Sequence, residues 1–332
     1  MMVERVAGKS CGSPFPVYTG LVDALAGASR VPERDATVAH VLAMCAGYAY
    51  ADLDTVATVM SRIGFDAEAC VRLSQTVDAM YIYSTAYLVQ SRCGRVAILC
   101  YRGTETRNVG NWLGDAEIGS ESSLLSGGEG APPLRVHAGF HLNMRATWWL
   151  VLEELMHALR ARSLLDPERS VEHPLQVLYV TGHSLGGAMA MLFALGLHGQ
   201  VQHRGITDVL RAVYTYGQPM VVCEPVPEWT DEVARKLLRH VIPTDPVPAL
   251  PPVGWGPFVH LGREFQLVDE RWLGVESSVT QAASARQVLR SILDALGPER
   301  RRDSSRYLAG AHAPQHYIEA LRPKGRVTEL GD

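Results

Sequence analysis

The chain has 332 residues, 47% of them apolar, and 31 Lys and Arg against 35 Asp and Glu, for a formal net charge of -4. That length and apolar content suit one substantial α/β core, residues 1–332, and the mild charge argues against a nucleic-acid partner. No run of about eighteen uncharged apolar residues predicts a transmembrane segment. The opening "MMVERVAGKSCGSPFPVYTG" is broken by Gly, Pro and Ser, so the expectation is a cytoplasmic protein, or one exported without an evident signal peptide. Six scattered cysteines lack metal-ligand spacing and read mostly as buried thiols.

In chain order, residues 1–30 read as irregular apart from a short helix at "LVDALAG". A helix is predicted from Pro32 through "ERDATVAHVLAMCAGYAYAD", and a second over Leu53–Ile63, so that residues 1–65 form an N-terminal helical segment packed on the core. "AMYIYSTAYLVQS" and "RVAILCYRG" are predicted strands around an "RCG" turn. Residues 119–133, rich in Gly, Ser and Pro, read as a loop. A helix follows in "FHLNMRATWWLVLEELMHALRARSL", then a strand over 175–181, a helix from Leu185 and a strand in "VLRAVYTYGQP". A helix over Glu228–Leu237 and the strand "LLRHVIP" come next. The tail carries a hairpin in "FVHLGREFQLVDERWLG", a helix near Gln281–Leu296 and a last helix near Gln315–Leu321. Apolar strands alternating with helices predict a mostly parallel sheet covered on both faces.

The stretch "LQVLYVTGHSLGGAMAMLFALGLHG" carries the chemistry. Gly182-His183-Ser184-Leu185-Gly186 fits G-x-S-x-G, and it stands between a strand and an apolar helix, the context of a nucleophile elbow. The small neighbours let Ser184 take strained dihedrals that lift its hydroxyl above the sheet. A serine needs a base and an orienting carboxylate. Asp245, in the Pro-stiffened loop "HVIPTDPVPALPP" after an apolar strand, is the first choice of acid, with Asp231 and Asp269 weaker. His312, just ahead of the last helix, is the first choice of base, with His316 and His260 as competitors. The Leu185 amide, and Thr104 at the end of "VAILCYRGTE", are the candidate oxyanion donors. No metal or organic cofactor is expected.

With "YRGTE", "NWLGDAEI", "VHAGFH", "VTGHSLGGAMAMLFA", "YTYGQP", "HVIPTDPVPALPP" and "HLGREF" in this order, the chain resembles the class 3 lipases and is identified as a bacterial-type member. The resemblance implies an α/β-hydrolase fold and cleavage of acylglycerol or related esters through an acyl-enzyme, with a lipid or ester substrate met at a lipid–water interface. It implies Ser184 as nucleophile, Asp245 as acid, His312 as base and Thr104 as the oxyanion residue. A lid with Asn111 and Trp112 is implied after the oxyanion strand, within 106–133. A soluble short-chain carboxylesterase, or a phospholipase or galactolipase with the same triad, is the alternative. Residues 274–311 read as an insertion ahead of the histidine, and "MVVCEP" replaces the family's usual continuation after "YGQP". The oligomeric state is left open.

Overall fold

The computed structural model describes residues 1–10, 15–28, 34–77, 82–103, 122–276, 278–283 and 312–331. Its spine is a nine-stranded sheet. Five strands run parallel in the middle: β4 (Val96–Tyr101), β7 (Val177–His183), β8 (Leu210–Tyr216), β10 (Leu237–Val241) and β12 (Arg263–Val268). Antiparallel strands close both sides. β1 (Met2–Ala7), β2 (Ala67–Val77) and β3 (Ile82–Ser91) lie beyond β4, and β13 (Arg271–Val275) lies beyond β12. This is the α/β-hydrolase architecture expected of the sequence.

Strands buried on both faces read as unbroken apolar runs, which is why "VAILCY" and "VLYVTGH" were visible in the sequence. The pleat sends Ala97, Leu99 and Tyr101 to one face and Val96, Ile98 and Cys100 to the other. On the first face lie α4 (Ala138–Leu159) and α5 (Leu185–His198). On the second lie α1 (Leu21–Gly27), α2 (Ala36–Tyr48), α3 (Leu53–Ile63) and α8 (Pro314–Leu321). Each fully buried Leu or Phe in these layers stabilises the fold by about 1.5–3 kcal/mol. Asp35 caps α2 by accepting from the Val38 amide, and Asp52 caps α3 through Thr55.

The structure departs from the sequence reading at several elements. Residues 2–7, read as irregular, are a strand, and Ala67–Val77 is a strand with no counterpart in that reading. Within 119–133, Ser122–Leu125 is a strand, β5, paired with β6 (Leu134–His137). With β9 (Val222–Cys223) and β11 (Phe258–Val259) they make a second, antiparallel sheet of four. The Glu228–Leu237 helix shrinks to a 3-10 turn and α7 (Asp231–Ala234), because Leu237 already belongs to β10. Between β7 and β8 a short α6 (Arg204–Val209) appears. Of the Gln281–Leu296 helix, everything from residue 284 lies outside the described residues, and 281–283 are not helical. The five described cysteines are free thiols, four of them buried. Among the described residues no helix is long and apolar enough to cross a membrane, and no cluster of His, Cys, Asp and Glu could hold a metal ion.

Candidate active site

β7 delivers Ser184 to the carboxyl edge of the parallel sheet, where the chain turns sharply into α5. Ser184 has φ 59 and ψ -130, one of four non-glycine residues at positive φ among those described. Such a conformation survives only where its surroundings enforce it. The Ser184 amide donates to the Tyr216 carbonyl at 3.0 Å, fastening the corner to β8, and its own carbonyl accepts from Gly187. Glycines are sterically required on both sides. A Cβ at Gly182 would meet the Gly186 carbonyl group at 2.3 Å, and one at Gly186 would meet the Tyr101 carbonyl oxygen at 2.2 Å. Ser184 heads α5 without using its side chain as a cap, which leaves the hydroxyl for other work. The Leu185 amide, in the first turn, has no partner within the helix.

Asp245 follows β10 by four residues, and its own amide donates to the Ile242 carbonyl at 2.8 Å. The carboxylate is buried and well supplied with donors. Oδ1 accepts from the Val247 amide at 2.9 Å, and Oδ2 accepts from His312 Nδ1 at 2.8 Å and from the Tyr317 hydroxyl at 2.6 Å. Burying a carboxylate is costly unless such partners surround it. Burial, and then the Asp245 charge, push the Tyr317 phenol well above its usual range, so it stays a donor. With Nδ1 committed, His312 keeps Nε2 as its one remaining nitrogen, buried and without a hydrogen-bond partner among the described residues. His312 is thus the histidine brought to Asp245 across 67 residues of chain.

The other candidates sit elsewhere. His316 is exposed on α8. His260 is half-buried and donates through Nε2 to the Pro248 carbonyl at 2.8 Å, so it props the acid loop from outside. Burial and the nearby Arg239 hold that imidazole well below its ordinary value, hence neutral. Asp269 is at a hairpin turn and Asp231 begins α7. Thr104, Asn111 and Trp112 lie outside the described residues.

Four site residues escaped the sequence reading. Tyr317 supplies the second donor to Asp245 Oδ2. Gly217, at φ 58, lies where a Cβ would come within 2.5 Å of that same oxygen. His183 packs its ring against that of His312, and Tyr50 bonds to His183. All four stood inside stretches already quoted or bounded, Tyr50 in "ERDATVAHVLAMCAGYAYAD", His183 in the serine corner, Gly217 in "YTYGQP" and Tyr317 in the Gln315–Leu321 helix, but none had been given a role there. A buried ion pair, Arg239–Glu264 at 2.9 Å, joins β10, the strand ahead of the Asp245 loop, to β12. Arg239 also donates to the Leu261 carbonyl and the Ser278 hydroxyl, and Glu264 accepts from the Val279 amide. The following Gln281 and Ala282 bond to the backbone of Pro251, Gly256 and Ala249, so residues 278–283 are laid along that loop.

A sheet of this topology, with a strained serine at its carboxyl edge beside a histidine–carboxylate pair, defines an α/β-hydrolase fold with a serine-centred site. Residues 98–255 match the family model described as Lipase (class 3). The chain is 28% identical over 207 residues to a lipase of Rhizomucor miehei, covering 61% of this chain and 50% of that protein. It is 24% identical over 252 residues to the secreted mono- and diacylglycerol lipase A of Penicillium cyclopium, covering 74% and 72%. The chain spans about half the length of the first curated relatives it matches, and a third or less of some. Among solved structures, a lipase from Rhizopus microsporus var. chinensis superposes with a TM-score of 0.53 at 18% identity, over 79% of this chain and 88% of that one. The native Rhizomucor miehei lipase propeptide complex gives 0.50 at 21%, over 79% and 78%. These likenesses establish the fold. They also correct the expectation of a bacterial-type member, because the lipases named above that match by sequence and by structure come from fungi.

Proposed function

We propose that this protein is a serine hydrolase that cleaves carboxylic ester bonds of acylglycerols through an acyl-enzyme, as a lipase meeting its substrate at a lipid–water interface. The observation that carries the reading is the 2.8 Å contact of His312 Nδ1 with Asp245 Oδ2, beside a serine held at positive φ. In this mechanism His312 Nε2 takes the Ser184 proton as the hydroxyl oxygen attacks the ester carbonyl. Asp245 fixes the tautomer with Nδ1–H and stabilises the imidazolium. The Leu185 amide, and Thr104 beyond the described residues, donate to the oxyanion; losing one such donor costs roughly a hundredfold to a thousandfold in turnover. His312 then protonates the leaving alcohol, and water hydrolyses the acyl-enzyme by the same groups. The names of the matched fungal relatives, lipase and mono- and diacylglycerol lipase, support acylglycerols as the substrate class.

The test is hydrolysis of p-nitrophenyl butyrate, octanoate and palmitate, and of tributyrin and triolein emulsions, by wild type, Ser184→Ala, His312→Ala and His316→Ala. Turnover of long chains and emulsions, lost with Ser184 and His312 and kept with His316, is the expected result. Activity confined to soluble butyrate would replace lipase by short-chain esterase. Folded wild type inactive on the whole panel would refute the acylglycerol assignment.

A further inference from the structure

The base is touched by a ring that the proposed chemistry does not use. His183, between Gly182 and Ser184, is 1% exposed, and its imidazole centre lies 4.4 Å from that of His312 with the planes at 32°. Beyond its covalent attachment at Cγ, the His312 ring is held by Asp245 only through Nδ1, which leaves its plane and its far edge, Nε2, room to tilt. A second ring packed on its face removes this freedom, and offset aromatic contacts at such separations add to simple burial.

His183 is itself aimed. The Tyr50 hydroxyl lies 3.1 Å from its Nδ1, with the two rings edge to face at 6.0 Å, and Tyr317 packs edge-on at 5.8 Å. Tyr50 in turn is set by the residues that follow β4. The Arg102 guanidinium lies 5.8 Å from the centre of the Tyr50 ring. A Cβ on Gly103 would fall 2.4 Å from the Tyr50 hydroxyl oxygen and 2.6 Å from the His183 carbonyl oxygen.

Packing alone does not account for a histidine here. Among the described residues its buried Nε2 has no hydrogen-bond partner of full geometry, yet the ring interacts as a donor with the His312 backbone, which an apolar side chain of similar size could not do. Burial, and then the neighbouring His312, hold the His183 ring well below its ordinary value. It therefore stays neutral and adds no charge against the base.

We propose that His183 is a positioning residue for the reaction given above: its ring, aimed by Tyr50, sets the plane of the His312 imidazole and hence the direction of Nε2. The inference rests on the serine-hydrolase reading. It also makes Tyr50 the link between the base and the Arg102–Gly103 segment that leads to Thr104.

The experiment measures kcat and KM separately on p-nitrophenyl butyrate for wild type, Ser184→Ala, His183→Ala, His183→Phe and Tyr50→Phe, with a thermal unfolding midpoint for each. A base misplaced by about 1 Å loses on the order of a hundredfold in rate, so His183→Ala is expected to lower kcat on that scale with KM within about twofold. His183→Phe restores a ring face and is expected to recover most of the loss. Tyr50→Phe removes only a hydroxyl and is expected to fall between, with a midpoint close to wild type. Wild-type kcat in folded His183→Ala, or no recovery in folded His183→Phe, overturns the proposal. Should His183→Ala fail to fold, Tyr50→Phe decides: an unchanged kcat overturns it, and a lowered kcat at unchanged KM supports it. Ester turnover that survives Ser184→Ala removes the serine-hydrolase reading and this inference with it, whereas turnover that needs Ser184 but ignores His183 and Tyr50 removes the inference alone.

Discussion

Gly217→Ala probes the geometry of the Asp245–His312 pair, the acid and base of the proposed reaction, without removing any of its groups. A Cβ at this position would lie 2.5 Å from Asp245 Oδ2, 2.9 Å from His312 Cε1 and 3.0 Å from His312 Nδ1. Ordinary contact begins near 3.4 Å, so something must give by about 0.9 Å. Asp245 cannot simply retreat, because Tyr317 holds Oδ2 at 2.6 Å and the Val247 amide holds Oδ1 at 2.9 Å. The displacement falls on the 2.8 Å contact between Asp245 and His312. A misplacement of about 1 Å at a catalytic group corresponds to roughly a hundredfold in rate. Stability falls as well: the positive φ costs about 1–2 kcal/mol for a residue with a Cβ, and overpacking adds about 1–3 kcal/mol. The assay is kcat on p-nitrophenyl butyrate with urea unfolding, run beside Gly325→Ala. Gly325 also has positive φ, 81, but a Cβ there meets nothing within 4 Å, so that variant carries the backbone cost alone. A folded Gly217→Ala turning over within about threefold of Gly325→Ala would refute the steric argument.

Tyr317→Phe removes one donor from a buried carboxylate. Hydrogen bonds to charged groups contribute about 1.5–3 kcal/mol, so urea unfolding should show a loss of that size together with a lower kcat. Unchanged stability would mean that the Val247 amide and His312 satisfy Asp245 by themselves. Arg239→Met leaves Glu264 buried without its partner and is expected to cost about 3–5 kcal/mol; adding Glu264→Leu should recover most of that, and a double variant as unstable as the single one would contradict the account. Stability should also depend on pH through buried imidazoles. Burial depresses His40, His137 and His141 from 6.5 to about 4, and His240 to about 3. The unfolded chain therefore binds more protons than the folded one below pH 6.5. Stability is fully present above that value and is lost as pH falls toward 4 and then 3, by up to about 1.4 kcal/mol per pH unit for each group. A urea midpoint constant from pH 7 to 4 would contradict this.

Much of the fold was legible because its strongest signals are local. "VAILCY" and "VLYVTGH" are apolar on both faces of the pleat, and only a central strand sandwiched between helix layers requires that. The corner at Ser184 was legible for a similar reason: glycines at 182 and 186 have no other evident use than to admit backbone within about 2.3 Å of where a Cβ would stand. Strands at the edges were harder. β1 is largely exposed and β2 mixes Cys, Arg and Ser, so neither shows a clean alternation, and both are defined by partners distant in sequence. β5 and β6 are four residues each and exist through pairing with each other and with β9.

The chain by itself determined a strand–serine–helix corner, a parallel core to hold it, and a short set of acids and bases that could serve it. Which of them meet was decided by tertiary structure alone. His312 stands just ahead of α8 and His316 in its first turn, and only the docking of α8 onto α2, with Ile318 against Gly47, turns one inward to Asp245 and leaves the other exposed. The same docking brings Tyr317 to the carboxylate, and the α2–α3 connection brings Tyr50 to His183. Contacts between side chains tens to hundreds of residues apart leave no periodic trace in sequence, because they arise where separate elements pack rather than along any one of them.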